Sequence, residues 1–256
     1  MKAFGLMCVL LVGSSLSAQQ VERDPQAIAL VQKAIVAAGG TESIRSLKDF
    51  RASGAVTHYW AGQEVTGAVD IQARGLDQIR MDSQMTDGVH SVISNHGAEN
   101  SVRPGSTQEI SARNGSKFGL MIFPVPVLVK AIEDPTASFA LAGTEQIDGI
   151  QAAKIRIVSG LPPRFAQDET MKKFKTFEVF IDPNTFMVVA IRHPYFQGGA
   201  RARAVLREVD FSNFTQVNGV TVPFTITEKA FDQPTWTVKL SRVDFTARVP
   251  ESAFQR

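Results

Sequence analysis

The amino-acid sequence predicts a mainly β fold with helices, in which sequential antiparallel strands form a meander. Apolar residues recur with a period of two: Val65, Gly67, Val69, Ile71 and Ala73 alternate with Glu64, Thr66, Asp70 and Gln72. That is the pattern of a strand with one buried and one wetter face. Tight-turn signals punctuate such runs at Asn95-His96-Gly97, Asp148-Gly149, Asp182-Pro183-Asn184 and Asn218-Gly219, where residues that tolerate positive φ are needed. Between two blocks of strands lies one strongly apolar segment broken by prolines, which needs the sheet, or something bound there, to cover it.

The chain opens with a leader. Met1 and Lys2 give a short positive start, Ala3 to Val12 is an apolar run of ten residues, and Gly13 to Ala18 is small and polar. This is the layout of a secretory signal peptide, and its apolar part is well short of the roughly 20 residues of a spanning helix. Residues 1–18 are therefore expected to be removed, with cleavage after Ser17 the alternative. Residues 19–256 are expected to form a single domain, located in the periplasm, or outside the cell where there is no outer membrane, and not inserted in the membrane. Cys8, the one cysteine, lies inside the leader without the context of a lipid acceptor. The mature chain is thus expected to have no disulfide and no thiol nucleophile.

The first mature element is predicted to be helical. Asp24 can cap it, Pro25 suits the first helical position, Ile28, Val31 and Ile35 recur at helical spacing, and Gly39-Gly40 stops it. Thr41 to Leu47 reads as a second short helix. After Phe50 the period becomes two, and it returns in Phe177/Val179/Ile181, in Val205/Val209/Phe211 around Arg207, and in Trp236/Val238/Leu240. About ten strands are expected. Lys117 to Ile132, with Pro124 and Pro126 in its middle, reads as a broken, mostly helical segment resting on the sheet. Residues 160–173 read as the longest loop.

Composition excludes several functions. With 256 residues, 44% hydrophobic and 20% charged, the chain is apolar enough to fold around a core. Its 27 basic and 25 acidic residues are interspersed, so there is no basic footprint for nucleic acid. No Gly-x-Ser-x-Gly elbow, dinucleotide fingerprint or phosphate-binding loop occurs. His58, His90, His96 and His193 fit no metal-ligand spacing and are expected to be solvent-facing strand and turn residues; only His90 and His96, flanking one turn, could approach each other. No cofactor or metal is expected, and enzymatic activity is the least supported reading. The aromatic content leans on 17 Phe, with two Trp and two Tyr, which suits a dry core or an apolar pocket.

In its order of elements the chain resembles the LolA/LolB-like family of outer-membrane lipoprotein-sorting proteins. The resemblance runs from the leading helix and Gly39-Gly40-Thr41-Glu42-Ser43-Ile44 through Asp70 to Arg80, Val92 to Pro104, Gly143 to Ile155, Phe180 to Thr185 and Val217 to Pro223. It implies an incomplete, half-barrel antiparallel sheet capped by the N-terminal helix and the broken segment. It also implies that Arg74 holds the helical lid over the cavity. The sequence departs from the family where Gly75 replaces a proline and where Glu99-Asn100-Ser101 stand in place of an aromatic residue.

Together these features predict a periplasmic carrier for lipoprotein acyl chains or another hydrophobic ligand. The cavity is expected between the broken segment and the concave sheet face, lined by Phe118, Met121, Ile122, Phe123 and Leu128, with Arg74 at the lid. The alternative is a module that binds envelope proteins or senses stress, with the same sheet and a filled cavity.

Overall fold

Thirteen strands hydrogen-bond into one sheet in the computed structural model, which describes residues 21–75, 77–110, 121–161, 163–165, 168–197 and 203–255. Helix α1 (Pro25–Ala37) leads, followed by α2 (Thr41–Ser46). The Oδ1 atom of Asp24 accepts the backbone N–H groups of Gln26 at 2.8 Å and Ala27 at 3.4 Å, satisfying donors that the first turn leaves open. A first meander contains β1 (Asp49–Trp60), β2 (Gln63–Arg74), β3 (Gln78–Met85), β4 (Gly88–Asn95), β5 (Ala98–Arg103) and β6 (Ser106–Ile110). After α3 (Val125–Glu133) a second contains β7 (Ser138–Ile147), β8 (Ile150–Val158), α4 (Glu169–Lys175), β9 (Thr176–Ile181), β10 (Val188–Gln197), β11 (Arg203–Val217), β12 (Val220–Ala230) and β13 (Gln233–Asp244). The leader, Cys8 and Phe118 lie outside the described residues.

The strand order is β6-β5-β4-β3-β2-β1-β13-β12-β11-β10-β9-β8-β7. Each meander is a run of neighbouring hairpins, and the two join where β1 pairs antiparallel with β13. Strands β6 and β7 do not pair with each other, so the sheet is an open half-barrel. Residues Glu22 and Asp24 partly cover the β7 edge: Phe139 N–H donates to Glu22 O, and Asp24 N–H to Phe139 O, both at 2.9 Å. The curl of the sheet needs glycine at Gly54 in β1 and Gly67 in β2. A Cβ there would lie 2.1 Å from the Lys239 carbonyl oxygen and 2.0 Å from that of Gln84, so only a residue without one allows the strands to approach so closely.

One end of the concave face carries α1, α2 and α3. Val31, Ile35, Ile44 and Leu128 pack there on Ile71, Val238, Ile226, Ile191 and Val179 in one core. The proline break is the start of α3. Pro124 is its N-cap and Pro126 lies in its first turn, where a missing N–H removes no helical hydrogen bond. Its other end is held by Arg23, whose guanidinium donates to the carbonyl oxygens of Ile132 (3.0 Å), Asp134 (2.8 Å) and Ala137 (3.0 Å), a cationic cap on the carbonyl end of the helix. Arg45 of α2 forms an ion pair with Glu133 of α3.

All four turn signals join consecutive strands, namely β4–β5, β7–β8, β9–β10 and β11–β12. The described residues form thirteen strands rather than the ten expected. Short strands such as β6, Ser-Thr-Gln-Glu-Ile, carry too few apolar residues to show a period. The expected loop at 160–173 instead contains the start of α4, capped by Asp168 through the N–H groups of Thr170 (2.9 Å) and Met171 (3.0 Å). None of α4 is buried, so it carries no apolar stripe by which a sequence announces a helix.

Candidate functional site

Beyond the helices the concave face opens into a cavity of about 810 Å³. Its floor and walls come from both meanders. Strands β1 to β6 contribute His58, Trp60, Val65, Met81, Met85, Val92, Glu99, Arg103 and Ile110; β10 to β13 contribute His193, Tyr195, Arg207, Glu228 and Trp236. Period two explains the selection. Val65 opposes His58 across β1–β2, Met81 opposes Val92, and Glu228 opposes Trp236, so these side chains share one face of the sheet.

Chemically the cavity differs from the core beneath the helices. Both tryptophans and both tyrosines of the chain border it, and none of the described phenylalanines does. Phe50, Phe123 and Phe245 instead pack edge-on or tilted near the covered end, with centroids 6.1 to 6.3 Å apart. Trp60 and Phe231 stand exposed at the tips of the β1–β2 and β12–β13 hairpins. The Tyr59 hydroxyl donates to Thr237 Oγ1 at 3.4 Å. Aromatic rings with a polar atom suit a wall that is apolar on one side and wet on the other.

A polar cluster sits deep in this space. Arg207 of β11 donates to the Glu228 carboxylate of β12 at 2.6 Å, and its guanidinium lies 3.9 Å from the centre of the Tyr195 ring. Thr235 Oγ1 donates to the second oxygen of Glu228. Glu99 of β5 faces this pair across the curl of the sheet and is 6% exposed. Its carboxyl forms no hydrogen bond or ion pair with any described residue. Burial pushes its pKa up to about 7; the Arg207 charge opposes that shift and the Glu228 charge adds to it. Burial also lowers the pKa of His58, helped by the charges of His90 and Arg103. The Nε2 of His58 and the Nε of Arg207 are buried without a hydrogen-bond partner among the described residues.

The histidines are not the solvent-facing set their spacing suggested. His58, His90 and His193 share the cavity, and His193 is 1% exposed. His90 and His96 sit at opposite ends of β4 and do not approach. His96 alone is an exposed turn residue, with Nδ1 2.6 Å from Asp77 Oδ2. Among the described residues no three His, Cys, Asp or Glu groups converge as a metal-ligand set.

Of the residues singled out by sequence, Met121 lines the cavity. Ile122, Phe123 and Leu128 are buried in the core under the helices, Leu128 at 0% exposure, so α3 closes one end of the concave face. Arg74 lies at the surface, 3.7 Å from Glu251; the arginines that tie the helices down are Arg23 and Arg45. Sequence reasoning missed Glu99, Arg207 and Glu228. Their signal was parity: Glu99-x-Ser101-x-Arg103 and Ile226-x-Glu228 continue an inward-facing period with charged residues.

No protein-family model matches the chain, and no curated protein matches it. Solved structures share its fold. A candidate outer membrane lipoprotein-sorting protein domain from Vibrio parahaemolyticus superposes with a TM-score of 0.54 at 12% identity, covering 90% of this chain and 96% of that one. A LolA superfamily protein from Nitrosomonas europaea gives 0.52 at 10% identity over 90% and 97%. A DUF1329 family protein from Desulfovibrio piger gives 0.53 at 12% over 90% and 97%. The chain therefore has the LolA-like open half-barrel fold.

Proposed function

We propose that the protein is an exported binding protein that holds a hydrophobic ligand, such as the acyl chain of a lipoprotein, in the open end of its half-barrel. The observation that carries this reading is the 810 Å³ cavity, which falls within the size range of small-molecule sites. Met81, Met85 and Met121, three of its apolar residues, are unbranched and can repack around chains of different shape. Each methylene moved from water into such a site contributes about 0.8 kcal/mol, so an acyl chain can be held without catalytic groups. The shared fold with a candidate lipoprotein-sorting domain supports the same reading, as does the leader-like start of the sequence. No described helix is long and apolar enough to cross a membrane. An open cavity favours ligand binding over a module whose interior is filled.

Because both tryptophans border the cavity, their emission reports occupancy directly. A neutral fluorescent acyl probe should quench it and accept energy from it, and Met121→Glu should abolish that signal while the far-ultraviolet circular dichroism stays that of the folded sheet. Organic extracts of the purified protein should contain a bound lipid. A protein that binds no acyl probe and yields no lipid on extraction is not a carrier.

A further inference from the structure

Among the described residues, the ion pairs of the cavity leave one buried group over. Glu228 is matched by Arg207 at 2.6 Å, and Asp87 by His90 at 2.9 Å. Arg103 stands exposed at the rim. Glu99 has no partner among the described residues, although it is more than nine-tenths buried and lines the cavity. A carboxylate taken from water without a compensating partner is strongly disfavoured, so its ionised form leaves the described groups at the deep end of the site short of one positive charge. A ligand carboxylate would add a second unmatched negative charge there, and a neutral headgroup would leave the deficit as it is. A positively charged nitrogen removes it.

The surrounding walls favour the same chemistry. Trp236 and Tyr195 border the cavity, and the electron-rich faces of such rings attract cations, strongly once both are desolvated. Tyr195 already carries the Arg207 guanidinium on one face, a cation–π contact of the kind a ligand nitrogen would make with a neighbouring ring. Apolar wall, aromatic rings and an unmatched carboxyl therefore occur together.

Building on the cavity reading above, we propose that Glu99 recognises the cationic nitrogen of an amphiphile whose hydrocarbon tail lies along the apolar wall. Recognition then depends on pH, because the ligand selects the ionised carboxylate. Burial holds the Glu99 pKa near 7, so affinity for a permanent cation rises as pH climbs through neutrality. The other charged or titratable groups facing this space are His58, Tyr59, His90, Asp87 and Arg103 from the first meander, and His193, Tyr195, Arg207 and Glu228 from the second. All of them remain in a Glu99→Gln protein, which isolates the contribution of Glu99.

The test is a titration of the full-length mature protein with three twelve-carbon amphiphiles below their micellar concentrations: dodecyltrimethylammonium, dodecanol and dodecanoate. The first keeps its charge at every pH. At about pH 8.5 dodecyltrimethylammonium should bind about tenfold or more tightly than dodecanol, and dodecanoate more weakly than either. The preference should shrink at about pH 5.5 in the wild-type protein and be absent from Glu99→Gln at both pH values. Equal or tighter binding of dodecanol or dodecanoate at the higher pH overturns the cation proposal while leaving the hydrophobic-ligand reading intact. So does a preference unchanged by pH, or one that survives in Glu99→Gln. If none of the three binds the wild-type protein, the hydrophobic-ligand reading fails and the cation proposal with it.

Discussion

The two ends of the concave face are built from the same strands, yet they solve opposite problems. Under α1, α2 and α3 the inward residues are Val56, Ile191, Val209 and Ile226, and the helices complete them with Val31, Ile35 and Leu128 into a dry core. A few residues further along the same strands, the inward positions become His58, Tyr195, Arg207 and Glu228, and the described helices do not cover them. A change of residue chemistry within one strand thus divides a single sheet face into a part that stabilises the fold and a part left open for something else. Aromatic residues mark the boundary, with Phe50, Phe123 and Phe245 on the covered side and the tryptophans and tyrosines on the open one.

The sharpest way to break this comparison is to remove charge from the open end. Arg207→Met would leave Glu228, nearly inaccessible, without its cation, and should lower unfolding stability by about 3–5 kcal/mol, measured by urea denaturation. A loss below about 1 kcal/mol would mean that the open end is solvated like a surface. Next, Leu128→Ala in the covered end should cost about 2–5 kcal/mol, as a cavity made in a packed core does. Met121→Ala, at the border of the open space, should cost clearly less in the same assay. Equal losses would show that Met121 is packed like the core.

A pH series sharpens the contrast further. The folded protein keeps a proton on Glu99 up to about pH 7, whereas the unfolded chain releases it near 4.5. Stability therefore falls as pH rises between those values, by on the order of 3 kcal/mol, and levels off above them. Glu99→Gln lacks this component, so the two proteins should match in stability near pH 4, and the variant should be the more stable above pH 7. A constant difference across the range would show that Glu99 is solvated. The smallest effect is expected at Arg74→Ala, which removes only an exposed 3.7 Å contact with Glu251 and should change stability by less than about 0.5 kcal/mol.

Local grammar made much of the fold legible. Asp24 followed by Pro25 announced α1, Asn-Gly and Asp-Gly pairs announced the hairpins, and the alternation from Val65 to Ala73 matches the inward face of β2 residue by residue. The site was less legible because its key contacts join distant strands. Glu99 and Arg207 are more than a hundred positions apart in sequence, and seven strand-to-strand steps separate β5 from β11 in the sheet. Only the curl of the sheet brings them face to face, and no local pattern encodes that curl apart from glycines such as Gly54 and Gly67. Leu128 and its neighbours misled for the opposite reason: an apolar, proline-interrupted run has the composition of a ligand-binding lid and of a core plug alike.

The pairing of β1 with β13 also sets a schedule for the growing polypeptide. Thr57 lies opposite Thr237, a partner made 180 positions later, whereas every other pairing in the sheet joins strands adjacent in the chain. Each meander can zip up as it is synthesised, hairpin by hairpin, but the seam between them waits for the last strand. Since the cavity takes Glu99 from one side of that seam and Arg207 and Glu228 from the other, a chain halted before residue 233 has most of its strands and no complete cavity. It also presents the bare edges of β1 and β12 to other molecules until β13 arrives to fill the gap.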